Sequence, residues 1–419
     1  MNKIELSTKP VVIKSDAIHT IEFKLIYPVI SKNEYALINN YLSHLLCESS
    51  ALLTEESEFE KEKLRKTVLD YYYSTNTICD QMYINITFVL PQEGLVNGYD
   101  IEESFKFIVD TIKNPILKNR ESGNEKFNHA KNYFRRKHDS AKQDIYGSNN
   151  YDIKNIIDPN EIMGNSYETK SKQIDSLSWE DLNKFYQDNI LNNDYLVYVY
   201  GNVEEDRVNY LFDKYLPQKE KTVTIIPNYI NPLPIAEKKL TTIQTKFNQS
   251  QLVMEYQVKD MTDEDKLFLS IIINILNAQE NNLVFDMLRV KNGLVYDAYV
   301  SSAISYGMFT IEAFIEYSNK DKVISLIREV MDSLKDKEKL SKCFEKLVEA
   351  YKVDLLKEED GLYTDLNNRI NNDLDIKTTA WQYNEMLNTK VDDILSFLDR
   401  IVETNIIIFL EEKAEVQHD

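Results

Sequence analysis

Glycine is scarce in this chain, with nine among 419 residues. None falls in a G-x-G-x-x-G or G-x-x-x-x-G-K-[ST] pattern, so no loop of backbone N–H groups is set up to cradle a phosphate. There is no G-x-S-x-G nucleophile elbow either. Cysteine is scarcer still. Cys47, Cys79 and Cys343 are odd in number, far apart and never in C-x-x-C, which excludes a disulfide framework or a zinc ribbon and makes them core thiols. A cysteine-protease pair of Cys47 or Cys79 with a distant histidine has no local signature to support it. The most apolar stretch, near Leu267–Leu276, is broken by Ser270 and Asn274 and is too short to span a bilayer. The opening residues, MNKIELSTKPVVIKSD, contain no apolar h-region, so a cytoplasmic location is expected. Positive charge is also short: 49 basic residues against 69 acidic give a net charge of −20. Nucleic-acid binding is disfavoured, because phosphate contacts need clustered Lys and Arg. The one basic run, Lys131–Lys137, reads as the solvated face of a helix, and the acidic runs Glu55–Glu62 and Lys357–Asp360 read the same way. A strongly acidic field favours basic peptides as substrates or merely keeps the chain soluble.

What is present is regular. Pro217, Pro227, Pro232 and Pro234 are four of the nine prolines, and they fall in a stretch with no helical period. Proline fixes φ and removes a donor, so 217–239 is expected to be an extended linker between domains at 1–216 and 240–419.

The two parts read alike. Ile21–Ile30 is a strand, followed by helices at Tyr35–Cys47 and Glu58–Leu69 and an alternating strand at Tyr83–Leu90. Helices at Ile101–Lys113, Glu125–Lys142 and Ser178–Asn189 then lead to the strand Tyr195–Tyr200. The second part opens with the strand Gln251–Val258, then helices at Thr262–Leu276 and Asn282–Val290. Strands at Tyr296–Ser302 and Met308–Ile315 follow. Helices at Lys320–Leu334, Glu338–Lys357, Leu362–Asn372 and Val391–Arg400 precede the closing strand Asn405–Leu410. A period of roughly 210–230 residues is too long for a solenoid. The expected fold is therefore α+β: two homologous domains, each a mainly antiparallel sheet with helices packed on one face, joined by the extended linker.

One segment carries more information, LVFDMLRVKNGLVYDAYVSSAISYGMFTIEAF. A helix ends in Leu288-Arg289, Gly293-Leu294 forms a turn, and Tyr296 starts a strand with six residues between it and Arg289. Gly293 suits a turn of positive φ. On the bare residues, two readings stand. Arg289 caps the helix C-terminus while Tyr296 packs under the hairpin, or the guanidinium and phenol together approach a peptide carbonyl. The segment closely resembles the C-terminal domain of the pitrilysin/insulinase (M16) metallopeptidases, and the duplicated halves and linker fit that family over nearly the whole chain. The resemblance implies that Arg289 and Tyr296 contact substrate carbonyls and the developing oxyanion.

Active members of that family carry H-x-x-E-H on the first helix after the opening strand: two zinc ligands and a general base, with a glutamate further on as third ligand. The histidines here are His19, His44, His129, His138 and His418, and no two have that spacing. His44-Leu45-Leu46-Cys47-Glu48 comes nearest, with Cys47 in place of the glutamate and Glu48 in place of the second histidine. Cys47 is expected to be buried and His44 to be satisfied by packing. His19-Thr20-Ile21-Glu22 enters a strand, where residues three apart face opposite sides. No metal site is expected in this chain.

The resemblance thus implies a non-catalytic, substrate-contacting subunit of a heterodimeric M16B peptidase. A partner chain with H-x-x-E-H would supply the zinc and the base. Peptides small enough to enter a closed chamber would be cleaved there, as in removing the leader of a ribosomally made peptide. The alternatives are a structural or scaffold subunit and a homodimeric peptide-binding protein without peptidase activity.

Overall fold

The computed structural model describes residues 4–16, 18–32, 34–78, 81–226, 230–277, 283–355 and 379–411. Cys79, His418, the segment Lys357–Asp360 and the expected helix Leu362–Asn372 lie outside them.

The chain divides into two compact units. The first gathers the described residues of Met1–Gln143 and Gly164–Asn228, and the second those of Asp144–Met163, Tyr229–Asp365 and Ile376–Asp419. In the first, strands β1 (Ile4–Ser7), β2 (Val11–Lys14) and β3 (Thr20–Ile30) precede helices α1 (Tyr35–Leu46) and α2 (Glu56–Arg65). Strands β4 (Asp70–Ile78) and β5 (Gln81–Pro91) form a hairpin, followed by α3 (Ile101–Lys113) and α4 (Arg120–Ala141). Helix α5 (Ile145–Ile157) comes next, then α6 (Tyr167–Ser176), α7 (Trp179–Tyr186), β6 (Leu196–Gly201), α8 (Glu205–Tyr215) and β7 (Thr222–Ile225). The second unit continues with β8 (Lys239–Gln244), β9 (Ser250–Val258), α9 (Asp265–Asn277) and α10 (Leu283–Phe285), which runs on as a π turn over Asp286–Lys291. Then come β10 (Val295–Ala303), β11 (Met308–Ile315), α11 (Lys320–Ser333), α12 (Lys337–Leu355), α13 (Thr379–Asn388), α14 (Val391–Leu398) and β12 (Ile401–Leu410).

The two five-stranded sheets have the same topology. The first has the order β2-β6-β3-β5-β4 and the second β8-β12-β9-β11-β10. In each, the pairs are antiparallel except at one edge, where β2 lies parallel to β6 and β8 parallel to β12. The duplicated α+β architecture expected from the sequence is present. The parallel edge strands are an addition to it, as is the small sheet in which β1 pairs antiparallel with β7.

Alternation along each strand sends one apolar set toward a helical layer. In the first unit, Phe23, Phe88 and Phe105 meet there, Phe23 stacking on Phe88 at 4.9 Å. In the second unit, Leu252, Met254, Phe309, Ile311 and Ile408 pack against Leu269, Ile272, Val323 and Ile327. The opposite sheet faces are buried too. In the first unit, Val223 and Ile225 of β7 cover Ile26, Tyr83, Leu196 and Tyr198. In the second, Ile153 and Ile157 of α5 cover Val253, Ile407 and Phe409. Both coverings depart from the sequence-based outline. Strand β7 lies inside the segment 217–239, which was expected to be an extended linker, and pairs with β1. Helix α5 precedes residue 216, yet its buried face belongs to the second unit, because that sheet supplies its apolar partners.

The basic run on α4 is not simply a solvated face. Lys131 Nζ donates to the carbonyls of Asp175 and Leu177 at 2.8 and 2.9 Å, and Arg135 bonds Ser171 and Asp175, so these cations hold α6 against α4.

Candidate functional site

Helix α10 buries Val284 and Leu288 in the core of the second unit. Its last turn is of π type, and Arg289 and Val290 face solvent. The helix closes through Gly293 at φ +63°, a left-handed conformation that glycine adopts without cost. The Gly293 N–H donates to the Arg289 carbonyl at 3.0 Å, and the Leu294 N–H to that of Leu288 at 2.9 Å. Asn292 Nδ2 satisfies the Met287 carbonyl at 2.8 Å. The turn returns the chain beside its own helix end. There Arg289 Nη1 donates to the Val295 carbonyl at 2.7 Å, and the guanidinium carbon lies 5.8 Å from the centre of the Tyr296 ring.

Tyr296 does not pack under the hairpin. The pairing of β10 with β11 shifts register between Val295 and Ala298, and this bulge leaves both Tyr296 and Asp297 exposed. Tyr296 is 71% exposed, while Val295 and Ala298 on either side are buried. The structure thus brings together the two residues singled out from the sequence. The bulge between them and the core was not legible there, because a bulge depends on the register with β11.

An open depression adjoins Tyr296. Tyr146 of α5 and Phe314 of β11 pack edge to face at 5.0 Å and line it with Asn248, Gln249 and Asp297. Beneath it runs a buried polar chain. Asn149 Nδ2 donates to Gln251 Oε1 at 2.7 Å, and Gln251 Nε2 donates to Glu312 Oε2 at 3.0 Å. Tyr299 and Thr310 donate to the two Glu312 oxygens at 2.9 Å each. Burial, reinforced by the Glu312 carboxylate, pushes the Tyr299 phenol well above its ordinary value, so it remains a donor. This chain turns an otherwise costly polar stripe on a buried sheet face into a fully bonded one. The strand pattern of Met308–Ile315 places Thr310 and Glu312 on one face, but the other members of the chain come from other strands and from α5 and are set by the fold.

The degenerate motif lies on α1. His44 stacks on Tyr133 of α4, with ring centres 5.6 Å apart and planes 15° from parallel. Burial raises the Cys47 thiol to about 11. A depression on this face is lined by His44, Glu48, Glu125, Lys126 and His129. Glu125 and His129 were not singled out from the sequence. Even so, among the described residues no group of three or more His, Cys, Asp or Glu side chains is arranged to hold a metal ion. The residues do not fit a catalytic zinc: a thiol stands at the base position, and His44 is committed to an aromatic stack. His138 is buried elsewhere on α4, against the Tyr167 ring at 4.0 Å.

The geometry defines a duplicated α+β chain in which the described residues form no metal-binding cluster. Residues 176–347 match the family described as Peptidase M16 inactive domain. Among curated proteins, the chain is 25% identical over 166 residues to the probable inactive metalloprotease YmfF of Bacillus subtilis (strain 168). That alignment spans 39% of this chain and only 38% of the relative. Among solved structures, the chain resembles a conserved protein from Enterococcus faecalis V583 at a TM-score of 0.80, with 16% identity and coverage of 99% of this chain and 100% of that one. It also resembles a peptidase M16 inactive domain from Pseudomonas fluorescens at a TM-score of 0.70, with 12% identity and full coverage of both chains. Residues 176–347 are thus similar in sequence to the M16 inactive domain, and the whole chain shares the two-domain fold of M16-like structures. No helix among the described residues is long and apolar enough to cross a membrane.

Proposed function

We propose that the chain is the non-catalytic, substrate-contacting subunit of a heterodimeric M16B zinc peptidase. A partner chain bearing H-x-x-E-H supplies the zinc, its ligands and the general base. This chain supplies Arg289 and Tyr296. The observation that carries the reading is the exposed Tyr296 phenol, lifted from the sheet by a bulge and flanked by a guanidinium. Nη1 of Arg289 is held by Val295, while Nε and Nη2 have no acceptor among the described residues. A preorganised cation and a phenol O–H can both donate to a peptide carbonyl whose oxygen gains charge as a nucleophile adds. The substrates in this reading are peptides small enough for a closed chamber, a leader segment of a ribosomally made peptide among them.

The test is co-expression with an H-x-x-E-H homologue, co-purification, and hydrolysis of a fluorogenic peptide set. The complex cleaves and a chelator stops it, while this chain alone is silent. Chelator-sensitive cleavage by this chain alone would overturn the reading.

The Arg289–Val295 bond favours a second reading, in which Arg289 serves only to fix the hairpin and the chain is a scaffold. In that case Tyr296→Phe leaves cleavage by the complex unchanged.

A further inference from the structure

A second pocket of the second unit lies away from Tyr296, where α11, the start of β12 and the residues before β8 meet. It is open-mouthed, about 250 Å³, and has Met331, Leu398 and Ile401 among its walls. Its polar lining is Lys238, Tyr256, Arg328, Asp332, Lys335 and Glu403.

Tyr256 is 4% exposed, and its hydroxyl is buried without a hydrogen-bond partner among the described residues. The ring is fixed by stacking on Phe309 at 5.1 Å, so the hydroxyl cannot turn elsewhere to find one. Leaving a buried hydroxyl unpaired is costly, and native proteins do so rarely. Burial, with the Glu403 carboxylate next, pushes the phenol well up, so the hydroxyl stays protonated and can donate.

The carboxylates of the pocket are already occupied. Glu403 accepts from Arg328 Nε and Nη2 at 2.8 Å each and pairs with Lys238 Nζ at 2.6 Å. Asp332 pairs with Lys335 Nζ at 3.2 Å. Among the described lining residues three cations thus face two carboxylates, a local surplus of one positive charge in a chain whose net charge is −20. Among the described residues the groups left over are mainly donors, set against one Asp332 oxygen: Arg328 Nη1, the remaining N–H groups of Lys335, and the Tyr256 hydroxyl. A pocket with spare donors and positive charge meets an acceptor with negative charge. Its volume falls below the range typical of drug-sized ligands.

We infer that this pocket binds a small oxyanion, a phosphate or carboxylate group, held by the Tyr256 hydroxyl, Arg328 Nη1 and Lys335 Nζ. The anion satisfies the buried hydroxyl and offsets the charge surplus. It does so independently of any peptidase partner.

The test is calorimetric titration of the full chain, in chloride buffer, with inorganic phosphate in one arm and acetate in the other. Saturable binding at one site is expected, and the arm with the tighter constant identifies the group. Tyr256→Phe and Lys335→Gln should each weaken it by about ten- to a hundredfold. In anion-free buffer the Tm of Tyr256→Phe should equal or exceed the parent's, because an unpaired hydroxyl has been removed. The anion should raise the Tm of the parent but not that of the variant. If neither anion binds saturably, or if Tyr256→Phe binds as the parent does, the inference is wrong.

Discussion

Arg289 and Val295 are joined by a 2.7 Å hydrogen bond from guanidinium to carbonyl, so the end of α10 holds the first residue of β10. The bond spans the turn at Gly293 and fixes the strand just before the bulge that exposes Tyr296. Helix, turn and strand therefore act as one rigid mount for the exposed phenol.

The turn can be tested through its glycine. An added Cβ at Gly293 meets nothing within 4 Å, so Gly293→Ala is penalised only by the left-handed backbone, about 1–2 kcal/mol. Gly201 provides the contrast. At φ +144°, its Cβ would lie 2.4 Å from the Thr20 carbonyl oxygen and 2.9 Å from the Ile21 Cα. Gly201→Ala should therefore lower stability by clearly more than Gly293→Ala in urea unfolding. Equal losses would contradict the steric account.

The buried polar chain predicts a stability effect at Asn149, outside the segment of Arg289 and Tyr296. Asn149→Ala leaves Gln251 Oε1 without its donor on a buried face. The expected loss is about 1–3 kcal/mol in urea unfolding. A loss under about 0.5 kcal/mol, the size of an ordinary surface change, would show that α5 is not held as described.

Asp265 gives a pH dependence. Burial pulls its carboxyl up, but Arg400, at 2.8 Å to each oxygen, and Thr262 outweigh burial and hold it below the ordinary aspartate value. A carboxyl lowered in the folded state adds stability above its unfolded value, near 3.9, and that stability is lost as pH falls through the lower folded value. Asp265→Asn should thus be less stable than the parent by about 2 kcal/mol at pH 7. The gap should narrow as pH falls below about 4. A gap that widens in acid would reverse the sign of the argument.

The resemblance gives Cys47 the position of a catalytic glutamate, and its chemistry can be probed directly. With its thiol at about 11, the thiolate fraction at pH 8 is about two hundredfold below that of a free cysteine. Alkylation in a Cys79→Ser, Cys343→Ser background should be slow at pH 8 and accelerate as pH rises toward 11. Fast labelling at pH 8 would reveal an activated thiol instead.

Much of the fold was legible because long, strongly patterned elements announce themselves. The alternation in Phe309, Ile311 and Ala313 and the apolar stripe of Ile38, Tyr41, Leu42 and Leu45 each match a buried face. Strands β2 and β8 were not legible. One has four residues and the other is largely exposed, and both form only by pairing in parallel with strands far along the chain. Helix α5 was missed for a related reason. Its isoleucines are interleaved with Asn, Asp and Lys, and the burial of Asn149 is matched by a partner, Gln251, far along the chain. The Arg289–Gly293–Tyr296 spacing marked the candidate site, whereas the bulge and the depression beside Tyr296 depend on register and on Tyr146. The missing H-x-x-E-H could be read directly from the sequence, but the stacking of His44 on Tyr133 could not.

The most direct measurement of the central claim is kcat/KM of the co-purified complex for a cleaved peptide, with this chain as parent, Arg289→Ala or Tyr296→Phe. Tyr296 is exposed, so loss of its hydroxyl should leave folding and assembly intact. If the phenol and guanidinium meet the reacting carbonyl, each variant lowers kcat/KM by about 10²–10³-fold, carried mainly in kcat. Full activity in Tyr296→Phe, in a complex that assembles normally, would contradict the account and leave the chain a scaffold.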